Sequence, residues 1–295
     1  MFESGELRYE GVSFLFGDGT PYRLTNVVRG SADFRVDDVD RVRRDGRMFG
    51  RDFKSGPTHT ISMLVEGSGA SRDEREADTR VRLGLLAAAW SADSVRNRGG
   101  SLAALRIGER WAYGRPRTFA PDDSGIWDGV AEPVMEFVAT DDLWYGSPVE
   151  TVIRFAPAVG GGLRFPAQAP FRFGGQPSVR NASVVVGGEQ AAWPVFEVRG
   201  PVVNPSVDVP GVGILTFNTA LAFDERLVVD TRERWVKRGR VGGALFPAPG
   251  LLSPTGSRLS DMSLLPGAHS VVLRGTDSTN SAELRVTVAP AFSTL

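Results

Sequence analysis

Four prolines, Pro194, Pro201, Pro205 and Pro210, punctuate the stretch from Trp193 to Arg238. Each would break an α-helix, because proline lacks the N–H and its ring collides with the preceding turn. The residues between them alternate in polarity. Val195, Glu197 and Arg199 share one face, and Phe196 and Val198 share the other. Alternation resumes at Leu215, Phe217, Leu221 and Phe223 after Gly211 and Gly213. Asp224-Glu225-Arg226 makes a charged turn into Leu227-Val228-Val229. Antiparallel strands with one wetted face have this pattern. The stretch predicts a β-rich module.

The first half reads as mostly strands as well. Leu7, Tyr9, Val12, Phe14 and Phe16 form one hairpin arm, Gly17-Asp18-Gly19 the turn, and Tyr22 to Val28 the return. Strands are expected at Thr58–Val65, Leu102–Ile107, Arg110–Arg117 and Val130–Ala139, with an exposed turn at residues 120–125. One helix interrupts them. Ser71 and Glu74 fit a capping box, acidic residues crowd the first turn, and Ala77, Val81, Leu85, Ala88 and Ala89 form an apolar stripe that Leu86 and Trp90 widen.

With 295 residues the chain is long enough for two domains. Residues 157–177 are rich in Gly and Pro, as suits a connection. The expected division is a first domain at 1–155, a connection at 156–182 and a second domain at 183–295. A formal net charge of −1 argues against general nucleic-acid binding. The absence of cysteine removes disulfides, thiolate metal sites and a cysteine nucleophile. The N-terminal residues carry no signal-peptide apolar core, and nowhere do about 18 apolar residues run together, so no membrane contact is expected.

Candidate sites are few. From Asp33 to Lys54, Asp and Arg interleave almost residue by residue. This reads as a solvated strand or loop with local ion pairs, and more sharply as a subunit interface, since mixed charge fixes register between copies. Metal binding by Asp37, Asp38 and Asp40 is disfavoured by the neighbouring arginines and the lack of calcium-loop spacing. His59 reads as a partly buried strand residue and His269 as a surface turn residue. Asp141 to Tyr145 places an acidic pair before two aromatics, either a sugar platform or a strand end plugging a domain boundary. The loop from Gly239 to Ser257 holds Leu245, Phe246, Leu251 and Leu252, which mark a contact with another chain or fold back on the loop's own sheet. Carboxylates for glycoside hydrolysis exist at Asp122, Asp128, Asp142 and Glu225, and their order in the sequence does not set the separation of any two. No nucleophile elbow, P-loop, zinc-protease or dinucleotide motif occurs. The reading is a non-enzymatic protein with no cofactor.

An ordered set of features runs through the second half. Trp193-Pro194-Val195-Phe196-Glu197-Val198-Arg199-Gly200-Pro201 leads to Asn204-Pro205 and the strand pair at Leu215–Ala222. Leu227-Val228-Val229-Asp230-Thr231 follows with Arg234, then Leu265-Pro266-Gly267 and the strand Ala282–Val288. In this order the features resemble the C-terminal domain of the distal tail proteins of long-tailed (siphovirus) phages. The first half resembles that family's N-terminal belt domain in plan: strands, one helix, more strands, and an aromatic close at Asp142-Leu143-Trp144-Tyr145.

The resemblance implies a mainly β protein of two domains. The first is a tail-tube-like belt with one α-helix, the second a galectin-like antiparallel β-sandwich. Such proteins form rings, usually of six copies, at the virion's tail tip after synthesis in the host cytoplasm. The ring joins the tail tube to the tip or baseplate, neighbours the hub and tape measure proteins, and lets DNA pass. Near-neutral charge suits such a channel, since neutralised phosphates would retain the DNA. Arg41, Arg43, Arg44 and Arg47 are the candidate ring contacts, with the helix at 71–90 a further one. The alternative is a carbohydrate-binding module for cell-wall glycans, with Trp235, Arg234 and Arg238 as the contact cluster. Fold alone does not establish that role.

Overall fold

The computed structural model describes residues 4–154, 181–277 and 279–295. Stretch 157–177 and nearly all of the expected 156–182 connection lie outside the described residues. The chain is mainly β, with one long helix and antiparallel sheets, as its alternation predicts. It divides into two compact units. Unit 1 comprises residues 1–146 with 292–295, and unit 2 comprises residues 147–291. No helix among the described residues is long and apolar enough to cross a membrane.

Unit 1 opens with β1 (Ser4–Tyr9) and β2 (Val12–Gly17), an antiparallel hairpin in which Tyr9 faces Val12. The single arm expected over residues 7–16 is therefore two strands. The turn at Glu10-Gly11 has φ of 34° and 82°, matching the twist that two-residue hairpins need. β3 (Tyr22–Val28) does not return along β2 in a ladder. It pairs instead with β8 (Thr58–Glu66), Tyr22 facing Val65. Between them lie four short strands, β4 (Phe34–Arg35), β5 (Val39–Asp40), β6 (Arg47–Met48) and β7 (Phe53–Lys54).

Helix α1 (Arg72–Ser91) begins as its capping box predicts. Ser71 Oγ accepts from Glu74 N at 3.2 Å, and Glu74 Oε2 accepts from Ser71 N at 3.3 Å. Its buried residues are Thr79, Leu86, Ala89 and Trp90. Val81 and Leu85 instead stand 61% and 57% exposed, because they sit across the helix from the 79–86–90 line. A short α2 (Asp93–Arg96) follows Ala92, which has φ 43°. The sheet continues through β9 (Ala103–Ile107), β10 (Arg110–Ala120), β11 (Val130–Ala131), β12 (Val134–Ala139) and β13 (Trp144–Tyr145). The strand expected at 130–139 is split near Pro133, which has no N–H to donate to a ladder. Leu7, Phe16, Ile61, Met63, Leu105, Met135, Phe137, Leu86 and Trp90 build one core.

Unit 2 is an antiparallel sandwich. One sheet orders β14 (Val149–Arg154), β24 (Glu283–Val288), β16 (Val195–Arg199), β20 (Glu225–Asp230), β21 (Trp235–Arg240) and β22 (Leu245–Pro247). The other orders β15 (Asn181–Val186), β23 (Gly267–Thr276), β17 (Val202–Val209) and β18 (Gly213–Thr216), with β19 (Ala220–Leu221) also on β17. Phe196 and Val198 point into the core at 0% exposure. Glu197 and Arg199 point out, as alternation requires. Asn204-Pro205 is not a turn between strands. It is an irregularity inside β17, where register shifts between Val203 and Ser206 and Asn204 takes φ 47°.

Two substitutions test this account of unit 1. Trp90→Ala, which empties a side chain only 1% exposed, should cost about 3–5 kcal/mol, and Ser71→Ala should cost about 1 kcal/mol. Urea denaturation with equal midpoints for wild type and Trp90→Ala would contradict the packing.

Candidate functional site

The chain from Arg29 to Pro57 leaves the sheet as an arm. Backbone contact sets its feet. A Cβ on Gly30 would meet the Thr58 carbonyl oxygen at 2.1 Å, and one on Gly56 would meet that of Ala139 at 1.8 Å. Only glycine permits such approach. Asp33 and Ser55 then clamp the stem, Ser55 N donating to Asp33 O at 2.9 Å and Asp33 N to Ser55 Oγ at 3.1 Å. Phe34 faces Lys54 and Arg35 faces Phe53; further out, Val39 faces Met48 and Asp40 faces Arg47. The tip turns at Arg43 (φ 60°) and Gly46 (φ 103°), closed by Arg41 N donating to Gly46 O at 3.0 Å.

Charge on the arm falls into two groups. Arg47 Nε donates to Asp40 Oδ1 at 3.1 Å and its Nη1 lies 3.9 Å from Asp38 Oδ2. Asp38 Oδ1 also accepts from Gly50 N, so Asp38 and Asp40 are engaged within the arm. Arg35 and Arg51 lie over the Phe53 ring at 5.1 and 5.3 Å. Lys54 reaches Asp142 Oδ2 at 2.6 Å. Arg41, Arg43 and Arg44, by contrast, make no ion pair among the described residues. Around them Val42 and Phe49 are each 84% exposed.

A cavity of about 330 Å³ lies at the arm's foot, lined by Arg29, Ser31, His59, Asp142, Trp144 and Thr294 among others. His59 is buried on β8. Its Nδ1 accepts from Gly30 N at 3.3 Å, and its ring lies 4.9 Å from that of Trp144. With Nδ1 accepting, Nε2 carries the proton of the neutral ring. Trp144 and Tyr145 are 2% and 3% exposed, and Asp141 accepts from the Tyr145 hydroxyl. These aromatics are core residues and offer no open sugar platform.

Unit 2 holds the other candidate residues. Trp235 lies at the start of β21 with Lys237 Nζ over its ring at 4.0 Å. Arg234 occupies the preceding turn with φ 56°. Arg238 points to the opposite face from Trp235. There its Nη2 and Nε reach the Glu225 carboxylate at 2.6 and 3.2 Å, and Nη1 reaches Thr219 Oγ1 at 3.1 Å. The three residues are thus not gathered on one surface. Glu225 and Arg238 wall a cavity of about 500 Å³ with Phe246 and Pro247. Part of the 239–257 loop folds back as β22, leaving Phe246 67% exposed. His269 lies on β23, not in a turn, with Nε2 2.7 Å from Leu265 O.

Each of the four candidate carboxylates has another partner. Asp142 is held by Lys54, and Asp128 by Arg72 at 3.2 Å. The hydrogen bond from Arg238, with that from Ala222 N, lowers the Glu225 pKa, and the Ser124 amide lowers that of Asp122. A glycosidase general acid needs the opposite shift.

No protein-family model and no curated protein sequence matches the chain. Solved structures do match in three dimensions. One is the SPP1 Dit (gp 19.1) protein, a paradigm of hub adsorption apparatus in phages infecting Gram-positive hosts. It has a TM-score of 0.57 and 14% identity, over 98% of this chain and 99% of that one. The chain has the Dit fold. A second match is a chain of the phage P2 baseplate in its activated conformation with Ca, with a TM-score of 0.54 and 9% identity over 97% and 98% of the two chains. The Dit fold accounts for both units here, so neither is an addition to it. At such low identity the likeness is one of fold, and no residue of the arm is carried by it.

The foot of the arm has a testable pH response. Burial first, and then the charge of Arg29, hold the His59 pKa below its ordinary 6.5. The unfolded chain binds a proton near that pH that the folded unit resists. The stability contributed by the neutral ring is therefore complete above pH 6.5 and is lost as pH falls toward the depressed folded pKa. Thermal melts of wild type should drop more steeply from about pH 7 to 5 than those of His59→Gln. Parallel pH profiles would contradict the assignment.

Proposed function

We propose that the protein is a non-enzymatic hub of a long-tailed phage virion. Copies form a ring, six by resemblance, that joins the tail tube to the tail tip or baseplate beside the tape measure protein. DNA crosses its channel without being held. The observation that carries this reading is the Dit fold extending over 98% of this chain and 99% of the SPP1 protein. No cofactor or membrane enters the role.

The division of labour follows from the units. The first, expected at 1–155, is the ring-forming belt. Arg41, Arg43, Arg44 and Arg47 make contacts between copies, aided by the exposed Val81 and Leu85 of α1. The second, expected at 183–295, is the outward sandwich. Glycan attachment has no comparable support, since Lys237 covers Trp235 and Glu225 holds Arg238.

Light scattering across a concentration series tests the reading. A discrete closed assembly, seen as rings by negative stain, supports it. A chain that stays at the 31.8 kDa of one copy at every concentration contradicts it. Reversal of Arg43, Arg44 and Arg47 to Glu should shift the assembly toward single copies, because like charges brought together at an interface cost several kcal/mol. An unchanged mass would remove these arginines from the contact.

A further inference from the structure

We infer that the arm tip of one copy docks on the loop at residues 121–132 of a neighbouring copy. The inference rests on the ring reading and names the surface the arm meets. Sequence 41–47 carries four arginines against one aspartate. Three of them, Arg41, Arg43 and Arg44, find no acidic partner among the described residues. Loop 121–132 carries Asp122, Asp123, Asp128 and Glu132 and no Lys or Arg. Asp128 is paired with Arg72, but Asp122, Asp123 and Glu132 face no cation among the described residues. Three unpaired arginines thus answer three unpaired carboxylates.

Apolar groups accompany both sets. At the tip, Val42 and Phe49 are each 84% exposed. On the loop, Trp127 is 59% exposed, although Arg80 lies 6.0 Å from its ring and Arg72 Nε donates to its carbonyl at 2.6 Å. The open part of that ring suits either a guanidinium or Phe49. These exposures also mean that the described residues leave the tip and the loop uncovered.

The loop is built to hold still. Ile126 is buried at 4%, Gly129 N donates to Ile126 O at 3.0 Å, and Glu132 N to Asp122 O at 2.9 Å. A firm acidic face with a central aromatic is a better landing site for arginines than a mobile one, since less ordering entropy is lost. Tip and loop are different surfaces, so each copy offers one and receives the other. Contacts of this head-to-tail kind close into a ring when the rotation between copies permits.

Charge reversal on each side separates this inference from the ring reading. Variant A carries Arg41→Glu, Arg43→Glu and Arg44→Glu. Variant B carries Asp123→Arg and Glu132→Arg, both exposed positions. Each alone should fall from ring mass to single copies in light scattering. Mixed in equal amounts, A and B should regain ring mass, because each tip then meets an opposite charge on alternating copies. If wild type forms a ring and B also forms it, the arm does not dock on this loop and the inference fails while the hub reading stands. If A and B are both monomeric but stay so when mixed, the pairing is wrong. If wild type never assembles, both fail together. If A keeps ring mass but loses salt-dependent binding of duplex DNA, the arginines serve nucleic acid and the inference falls.

Discussion

Unit 1 depends on burying one face of β8 while both of its edges are hydrogen-bonded. His59, Ile61, Met63 and Val65 all point into the core at 3% exposure or less. One edge is taken by β3 and the other by β11 and β12. β3 and β8 are thus direct neighbours, and the residues joining them have no place in the sheet. Their backbone groups still need partners. They find them by pairing across the excursion, Phe34 with Lys54 and Val39 with Met48. The arm follows from a β8 with no free edge to receive it.

Much of this fold was legible in local pattern. The box at Ser71 and Glu74 marks the helix start, because it answers orphan amide groups that every helix has. Alternation at 195–199 identifies which side chains face the core. What the sequence hides is pairing over distance. Nothing in Tyr22–Val28 names β8 as its partner, since a strand's polarity reports which face is buried and not which neighbour lies beside it. The Glu10-Gly11 turn escapes notice because hairpins of its twist are usually marked by Asn-Gly or Asp-Gly. Val81 and Leu85 stand exposed for a related reason: apolar character does not by itself say which side of a helix is covered.

Candidate residues divide along the same line. The interleaved Asp and Arg of 33–54 are visible as a pattern, and the arm is where that pattern lies. Trp235 and Arg238 looked like a cluster only because they are near in sequence. Three positions apart on a strand, they face opposite ways. In sequence, only residues 120–125 of the loop have a turn pattern, and Asp122 and Asp128 stand as isolated acids. Its meaning depends on Trp127 standing open beside uncompensated carboxylates, and exposure is not written in the sequence.

The arm tip and the outer face of the unit 2 sheet use arginine in opposite ways, and the contrast bears on function. On the outer face of the unit 2 sheet, Arg199 reaches Glu197 and Glu283, Arg285 reaches Glu283 and Glu150, and Arg226 reaches Glu197. Those arginine side chains are less than a third exposed and already have their partners. Such a face is closed electrostatically and has little to gain from a further charged surface. The arm holds its unpaired arginines in water beside exposed Val42 and Phe49. Isolated surface charges lose nothing by remaining solvated, so lack of a partner alone argues little. Unpaired charge of one sign together with large uncovered apolar groups argues more, because a monomer gains nothing from that arrangement and a contact with a complementary surface does.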